Sequence, residues 1–232
     1  MDRANQGAFA GLLSSVADVV LGRACSGCDA PGISLCADCR HVLRAQPRLR
    51  RSIDLTDIAS GLQLPMACSL DYRGPVRQVL YRFKDHRIPH LARVLAPALT
   101  ASIAHVAQHA GVRCADTTVV AMPTRRSTAK RRGFDPLGSV VDFAAHEQRF
   151  AAVASVLIDT RRAGKAKTLG VWERQVEAAG AFSVRGRTTL PAGPVILVDD
   201  IVTTGATAKE AAATLILAGV HVVGVATIAG TP

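Results

Sequence analysis

Two spacings of apolar residues alternate along the chain. Phe9, Leu12, Leu13, Val16 and Val20 recur at helical intervals, and Asp18 breaks the apolar stretch from Ala8 to Leu21. This predicts an amphipathic helix ahead of the first cysteine. A second helix is expected from about Leu91 to Gln108, a third from Leu137 to Phe150, a short one near Trp172, and one from Ala206 to Leu217. Between them lie short continuous apolar runs that read as buried strands: Thr117 to Met122, Ala154 to Ile158, Val195 to Val198 and Val220 to Ile228. The stretch around Cys68 to Tyr72 reads as a linker or hairpin. The Arg- and Pro-rich "RHVLRAQPRLRRS" reads as a junction. Strands alternating with helices predict an α/β fold, a parallel sheet with helices on its faces.

In such a sheet, ligands bind beyond the carboxyl ends of the strands. Those ends carry "MPTRR", "DTRRAGKAK" and "DDIVTTGAT", so acids, bases and small hydroxyls are brought to one edge. Composition agrees with a folded, anion-binding chain. Of 232 residues, 49% are hydrophobic and 20% charged, enough to bury a core, and the net charge of +10 points to phosphate esters, nucleotides or nucleic acid. A plain solubility role for that charge stays open. Aromatic residues make up only 4%, which argues against a base-stacking platform for single strands. No apolar run reaches the length of a membrane span, and the start, with Asp2 beside Arg3, does not resemble a signal peptide. The expected location is the cytosol, where disulfides seldom persist.

That setting bears on the cysteines. "CSGCDAPGISLCADC" places Cys25, Cys28, Cys36 and Cys39 as two C-x2-C pairs seven residues apart. Each pair presents two thiolates to one tetrahedral ion, and the linker with Asp29, Pro31 and Gly32 is rich in turn formers. The expectation is a structural Zn²⁺ held by four cysteines, closed to chemistry. Redox pairing is the alternative. Cys68 and Cys114 stand apart and read as small buried side chains. His86 and His90 are spaced i, i+4, but Pro89 lies between them and no third ligand accompanies them, so they read as surface or packing residues.

The most specific stretch is "VILVDDIVTTGAT", Val195 to Thr207. An apolar strand delivers Asp199 and Asp200 to the sheet edge. The small residues Thr203, Thr204, Gly205, Ala206 and Thr207 then open a helix, whose N-terminal N–H groups favour an anion. Two carboxylate acceptors followed by a phosphate cradle suit a ribose 5-phosphate, with the acids accepting from vicinal hydroxyls. A plain helix cap would explain one acid but not two. The chain contains no G-x-x-x-x-G-K-[ST] and no G-x-G-x-x-G.

This stretch resembles the 5-phosphoribosyl-1-pyrophosphate (PRPP) signature of type I phosphoribosyltransferases. With the cysteine pairs, "YRGPVRQVLYRFK", "VVAMPTRRSTAKRRGF" and "ERQVEAAGAF", nearly the whole chain resembles the ComF family, which joins a zinc ribbon to a phosphoribosyltransferase domain. The implied division is an N-terminal helix and double zinc ribbon in 1–50 and a phosphoribosyltransferase-like domain in 51–232. The resemblance implies that Asp199 and Asp200 bind the ribose hydroxyls and are the catalytic pair, and that Thr203, Thr204, Gly205, Ala206 and Thr207 hold the 5′-phosphate. It implies a pyrophosphate loop at Pro123 to Arg126, with Arg125 and Arg126 as contacts, although these could equally form a solvated basic run. "DTRRAGKAKTLG" would be the mobile loop, with Arg161, Arg162, Lys165 and Lys167 as candidate pyrophosphate contacts. Mg²⁺ would accompany PRPP, bound mainly through substrate oxygens. The implied chemistry is displacement of pyrophosphate at the ribose C1 position, the acceptor being open. A PRPP- or nucleotide-sensing module without turnover is the alternative. ComF relatives also imply a link to competence, with single-stranded DNA or the DNA-uptake machinery as partners. "RGFDP" departs from the family's usual "RGFNQ" at Asp135 and Pro136, and Ala166 and Glu177 depart near the mobile loop.

Overall fold

A computed structural model describes residues 24–124, 133–161, 180–186 and 188–231. The amphipathic helix expected over 8–21, the short helix near Trp172, and Arg125, Arg126, Arg162, Lys165 and Lys167 lie outside them. Helix α1 (Ala37–Val42) closes the cysteine segment. Strands β1 (Arg48–Asp54) and β2 (Gln63–Asp71) follow, then helices α2 (Gly74–Asp85) and α3 (Leu91–His109). Strand β3 (Thr118–Ala121), helix α4 (Pro136–Glu147), and strands β4 (Ala152–Ala154), β5 (Leu157–Asp159) and β6 (Phe182–Val184) come next. Strand β7 (Val195–Val202), helix α5 (Ala206–Leu217) and strand β8 (Val222–Gly230) complete the order.

The main sheet runs β1-β2-β8-β7-β3-β4, with β1 antiparallel to β2 and every other pairing parallel; β5 and β6 form a separate antiparallel pair. The expected mostly parallel α/β sheet flanked by helices is therefore present. Its centre is β8, buried at all nine positions, as a strand covered on both faces must be. Alternation along β2 shows which helix covers which face. Ser69 hydrogen-bonds Ser102 of α3 at 2.8 Å, while Met66, on the opposite face, lies within 4.0 Å of the position a Cβ at Gly205 would take, just before α5. Helix α4 packs on α3. Thus α3 and α4 cover one face and α5 the other. Ser102 also donates to the Thr227 carbonyl at 2.8 Å, so a buried hydroxyl is satisfied while tying α3 to the central strand.

Four expectations are corrected. The run expected as one strand from Ala154 to Ile158 is split: β4 adds to the main sheet and β5 leaves to pair with β6. Strand β7 does not end at Val198 but continues through both aspartates to Val202, because β8 pairs with it as far as Gly230. The supposed hairpin around Cys68 is part of β2, an interior strand. The supposed junction contributes β1, whose pairing with β2 is a tertiary event that no local spacing announces. Helix α2, which the apolar pattern had not singled out, buries Val76, Val79, Leu80 and Phe83.

Candidate functional site

Strand β7 lies between β8 and β3, and the helices that follow β7 and β3 go to opposite faces of the sheet. That divergence opens a crevice at the carboxyl ends of the two strands, the usual ligand position in an open α/β sheet. Among the described residues, the last backbone link between them is the Met122 N–H to the Val198 carbonyl, 2.8 Å. Strand β3 ends at Ala121, while β7 continues through Asp199 and Asp200 to Val202.

The crevice is a cavity of about 310 Å³ lined by Lys84, Thr124, Arg161, Asp199, Asp200 and Thr207, with Met122, Pro123, Pro136, Leu137 and Phe182 as its apolar wall. The acidic pair is partly buried. Burial first, and then the neighbouring charge of Asp200, push the Asp199 carboxyl up to about 7, against the opposing pull of Lys84. The Asp200 N–H donates to Asp199 Oδ1 at 2.8 Å. Asp200 itself is paired: Lys84 Nζ lies 2.5 Å from its Oδ2, with only 18% and 21% of the two side chains exposed. Arg161 is held in place by Asp159, whose side chain is 1% exposed, through Nε bonds of 3.0 and 3.2 Å and a further contact from Nη2. Its guanidinium also lies 5.2 Å from the Phe182 ring centre. This is a fixed cation beside a fixed acidic pair.

Thr203, Thr204, Gly205 and Ala206 make the turn into α5, and Gly205 takes φ 80°, a conformation that suits glycine. The N-cap residue offers no side chain and no acid lies in the first turn, so the N-terminal N–H groups beyond Ala206 remain available to an anion. Thr204 Oγ1 accepts from the Ala206 N–H at 3.4 Å, and the Thr203 carbonyl accepts from Thr231 Oγ1 at 3.3 Å. Of the sequence candidates, Asp199, Asp200, Thr207 and Arg161 line one cavity, and 203–206 form its adjoining turn. Lys84 was missed. It sits in "YRFK", and nothing local marks its lysine as facing acids more than a hundred residues later. Asp135 accepts from Thr124 Oγ1 at 3.3 Å and precedes α4, so the departure at "RGFDP" places Pro136 in the cavity wall.

The four cysteines form the second site. Their sulfur atoms all lie within 4.8 Å of one another; tetrahedral zinc thiolate bonds of about 2.3 Å would set sulfurs about 3.8 Å apart. Cys25 and Cys28 lie in a turn, whereas Cys36 caps α1 and Cys39 lies within it. Burial would raise the Cys25 thiol, but N–H groups of Cys36, Gly27 and Cys28 bring it down to about 6, favouring the thiolate a metal needs. Burial and then the other three thiols push Cys39 well up; a cation among them would relieve that repulsion. Gly27 is required by space, since a Cβ there would come 2.6 Å from Cys39 Sγ and 3.2 Å from Pro75 of α2. The module is tied to α2 a second time. Arg82 donates to the Cys25 carbonyl at 2.7 Å and pairs with Asp29. Thus α2 carries the cysteine module on one part of its surface and Lys84 on another.

No family model matches this chain, and no curated protein matches it in sequence. Solved structures do resemble it. Adenine phosphoribosyltransferase from Saccharomyces cerevisiae, complexed with an imino-altritol bisphosphate and adenine, is 16% identical, covering 81% of this chain and 85% of that one, with a TM-score of 0.35. Orotate phosphoribosyltransferase from Aeropyrum pernix is 15% identical, covering 82% and 89%, with a TM-score of 0.34. Superpositions this loose assign no role to any residue. Among the described residues, no helix is long and apolar enough to cross a membrane.

Proposed function

We propose that the chain binds PRPP with Mg²⁺ in the switch-point crevice and is a phosphoribosyltransferase-like protein of the ComF type. The observation that carries this reading is the convergence of Asp199, Asp200, Lys84, Arg161 and Thr207 on one cavity at the uncapped start of α5. The turn 203–207 receives the 5′-phosphate on backbone N–H groups and threonine hydroxyls. The acidic pair accepts from the two ribose hydroxyls. Lys84, the partner of Asp200 in the free protein, is then released towards phosphate oxygens. Arg161, locked by Asp159, faces the pyrophosphate side. Mg²⁺, when bound, neutralises charge on the leaving pyrophosphate. In a transfer reaction the residues of this chain would orient C1 for displacement and stabilise the charge that builds there. The cysteine cluster would hold Zn²⁺ as a structural ion.

Calorimetry with PRPP and Mg²⁺ tests the site. The double change Asp199→Asn with Asp200→Asn is expected to abolish binding while leaving the circular dichroism spectrum intact. Unchanged binding in that variant refutes the assignment. Release of pyrophosphate on screening acceptors distinguishes turnover from sensing. The link to DNA uptake that the ComF resemblance implies rests here on net charge alone.

A further inference from the structure

A second cavity, of about 440 Å³, lies between the end of α1, the start of β1, the end of β2 and the start of α2, and shares no lining residue with the crevice. Arg44, Arg48 and Arg73 line it, and Arg50 reaches the one carboxylate in its wall, Asp71. Asp71 receives both Arg48 and Arg50 on Oδ1, and Arg73 approaches Oδ2 at 3.4 Å. Three guanidinium groups thus gather around one acid, and Arg44 adds a further cation to the same cavity. Guanidinium does not deprotonate in proteins, so the excess positive charge stays.

Backbone donors reinforce it. Gly74, Pro75 and Val76, the first turn of the 12-residue helix α2, line the same cavity. No side chain caps that helix and its first turn holds no acid. Val42, Leu70, Pro75 and Val76 add an apolar wall to its lining. The place in the sheet is also informative. Asp71 is paired with Gly230, and Gly230 with Val202. The cavity therefore opens at the same carboxyl edge as the acidic pair, two strands away, which is about 10 Å across the sheet at the usual strand spacing, and two to three residues further along the strands.

We propose that this cavity is a separate binding site for a small organic phosphate monoester. The phosphate would lie on Arg44, Arg73 and the Gly74 and Val76 N–H groups, and the body of the molecule on the apolar wall. Asp71 holds Arg48 and Arg50 in position; it does not contact the ligand.

The test is a titration of the ¹⁵N-labelled full chain with inorganic phosphate and with phenyl phosphate, followed by amide chemical shifts. The Gly74 and Val76 amides are expected to shift saturably, with phenyl phosphate binding several-fold tighter because it also uses the apolar wall. In Arg44→Gln with Arg73→Gln, both on exposed side chains, the dissociation constant at these amides should rise at least about tenfold, while the response of 203–207 stays as in the parent. Unmoved Gly74 and Val76 amides, or the same titration in parent and variant, overturn the proposal. A stronger response to inorganic phosphate than to phenyl phosphate also overturns it. These residues are distinct from those of the crevice, so such a failure leaves the PRPP reading standing.

Discussion

Asp199→Asn should make the protein more stable, and more so as the pH rises. In the native state burial and Asp200 hold the Asp199 carboxyl at about 7 against an ordinary value of 3.8. The sign follows from proton counting. Below about pH 4 both folded and unfolded chains carry the proton and the group contributes nothing. Between 3.8 and about 7 the folded chain keeps a proton that the unfolded chain has lost, so stability falls as pH rises. Above 7 the whole cost is present. Each pH unit of that interval is worth about 1.4 kcal/mol, so the interval from 3.8 to about 7 amounts to about 4 kcal/mol. Asparagine keeps an acceptor for the Asp200 N–H, now at 2.8 Å, but its amide N–H groups need partners, which removes about 1–2 kcal/mol of the gain. The expected difference between variant and parent is about 1 kcal/mol against the variant at pH 4 and about 2–3 kcal/mol in its favour at pH 8. Urea unfolding at a series of pH values measures it. A difference that does not change with pH, or a variant clearly less stable at pH 8, would show that Asp199 is not a strained carboxylate. The same variant should bind PRPP poorly, as expected where a binding site holds charge that the fold would sooner lose.

The remaining predictions concern Lys84 and the cysteines. Lys84→Met leaves Asp200 without its cation in a mostly buried place, and should cost about 1–3 kcal/mol at pH 8 after allowing for partial exposure. It should also push the Asp199 titration higher still, visible as a shift of the pH window just described; an unchanged window would mean the two charges do not sense each other. The purified protein should hold one equivalent of Zn²⁺ by metal analysis. Cys25→Ser, or a strong chelator, should lower its melting temperature by several degrees, because metal binding and folding of such modules are coupled. Metal-free protein with an unchanged melting temperature would sink the zinc assignment.

How much of this was legible in the chain depends on the range of the interaction. The spacing of Cys25, Cys28, Cys36 and Cys39 announces a four-sulfur cluster because the residues that build it lie within one short loop and one helix turn. Helix α5 was expected at its observed bounds, and the acids and small residues before it form one continuous turn whose chemistry is local. The parallel α/β class follows from the alternation of short apolar runs with helical ones. Other features are products of tertiary pairing. Residues 48–54 are rich in arginine and look like a junction until β2 supplies hydrogen-bond partners. Ala154 to Ile158 looks like one strand until two different neighbours divide it. Lys84 becomes part of the acidic site only because α2 docks beside β7, and the arginines around Asp71 converge only because β1, β2 and α2 meet at one corner. The sequence by itself determined the motifs and the alternating pattern, since periodicity and loop spacing act over a few residues. The tertiary structure alone decided which charges neutralise the acidic pair and where the second cluster of cations forms, since Coulomb interactions follow distance in space and take no account of separation along the chain.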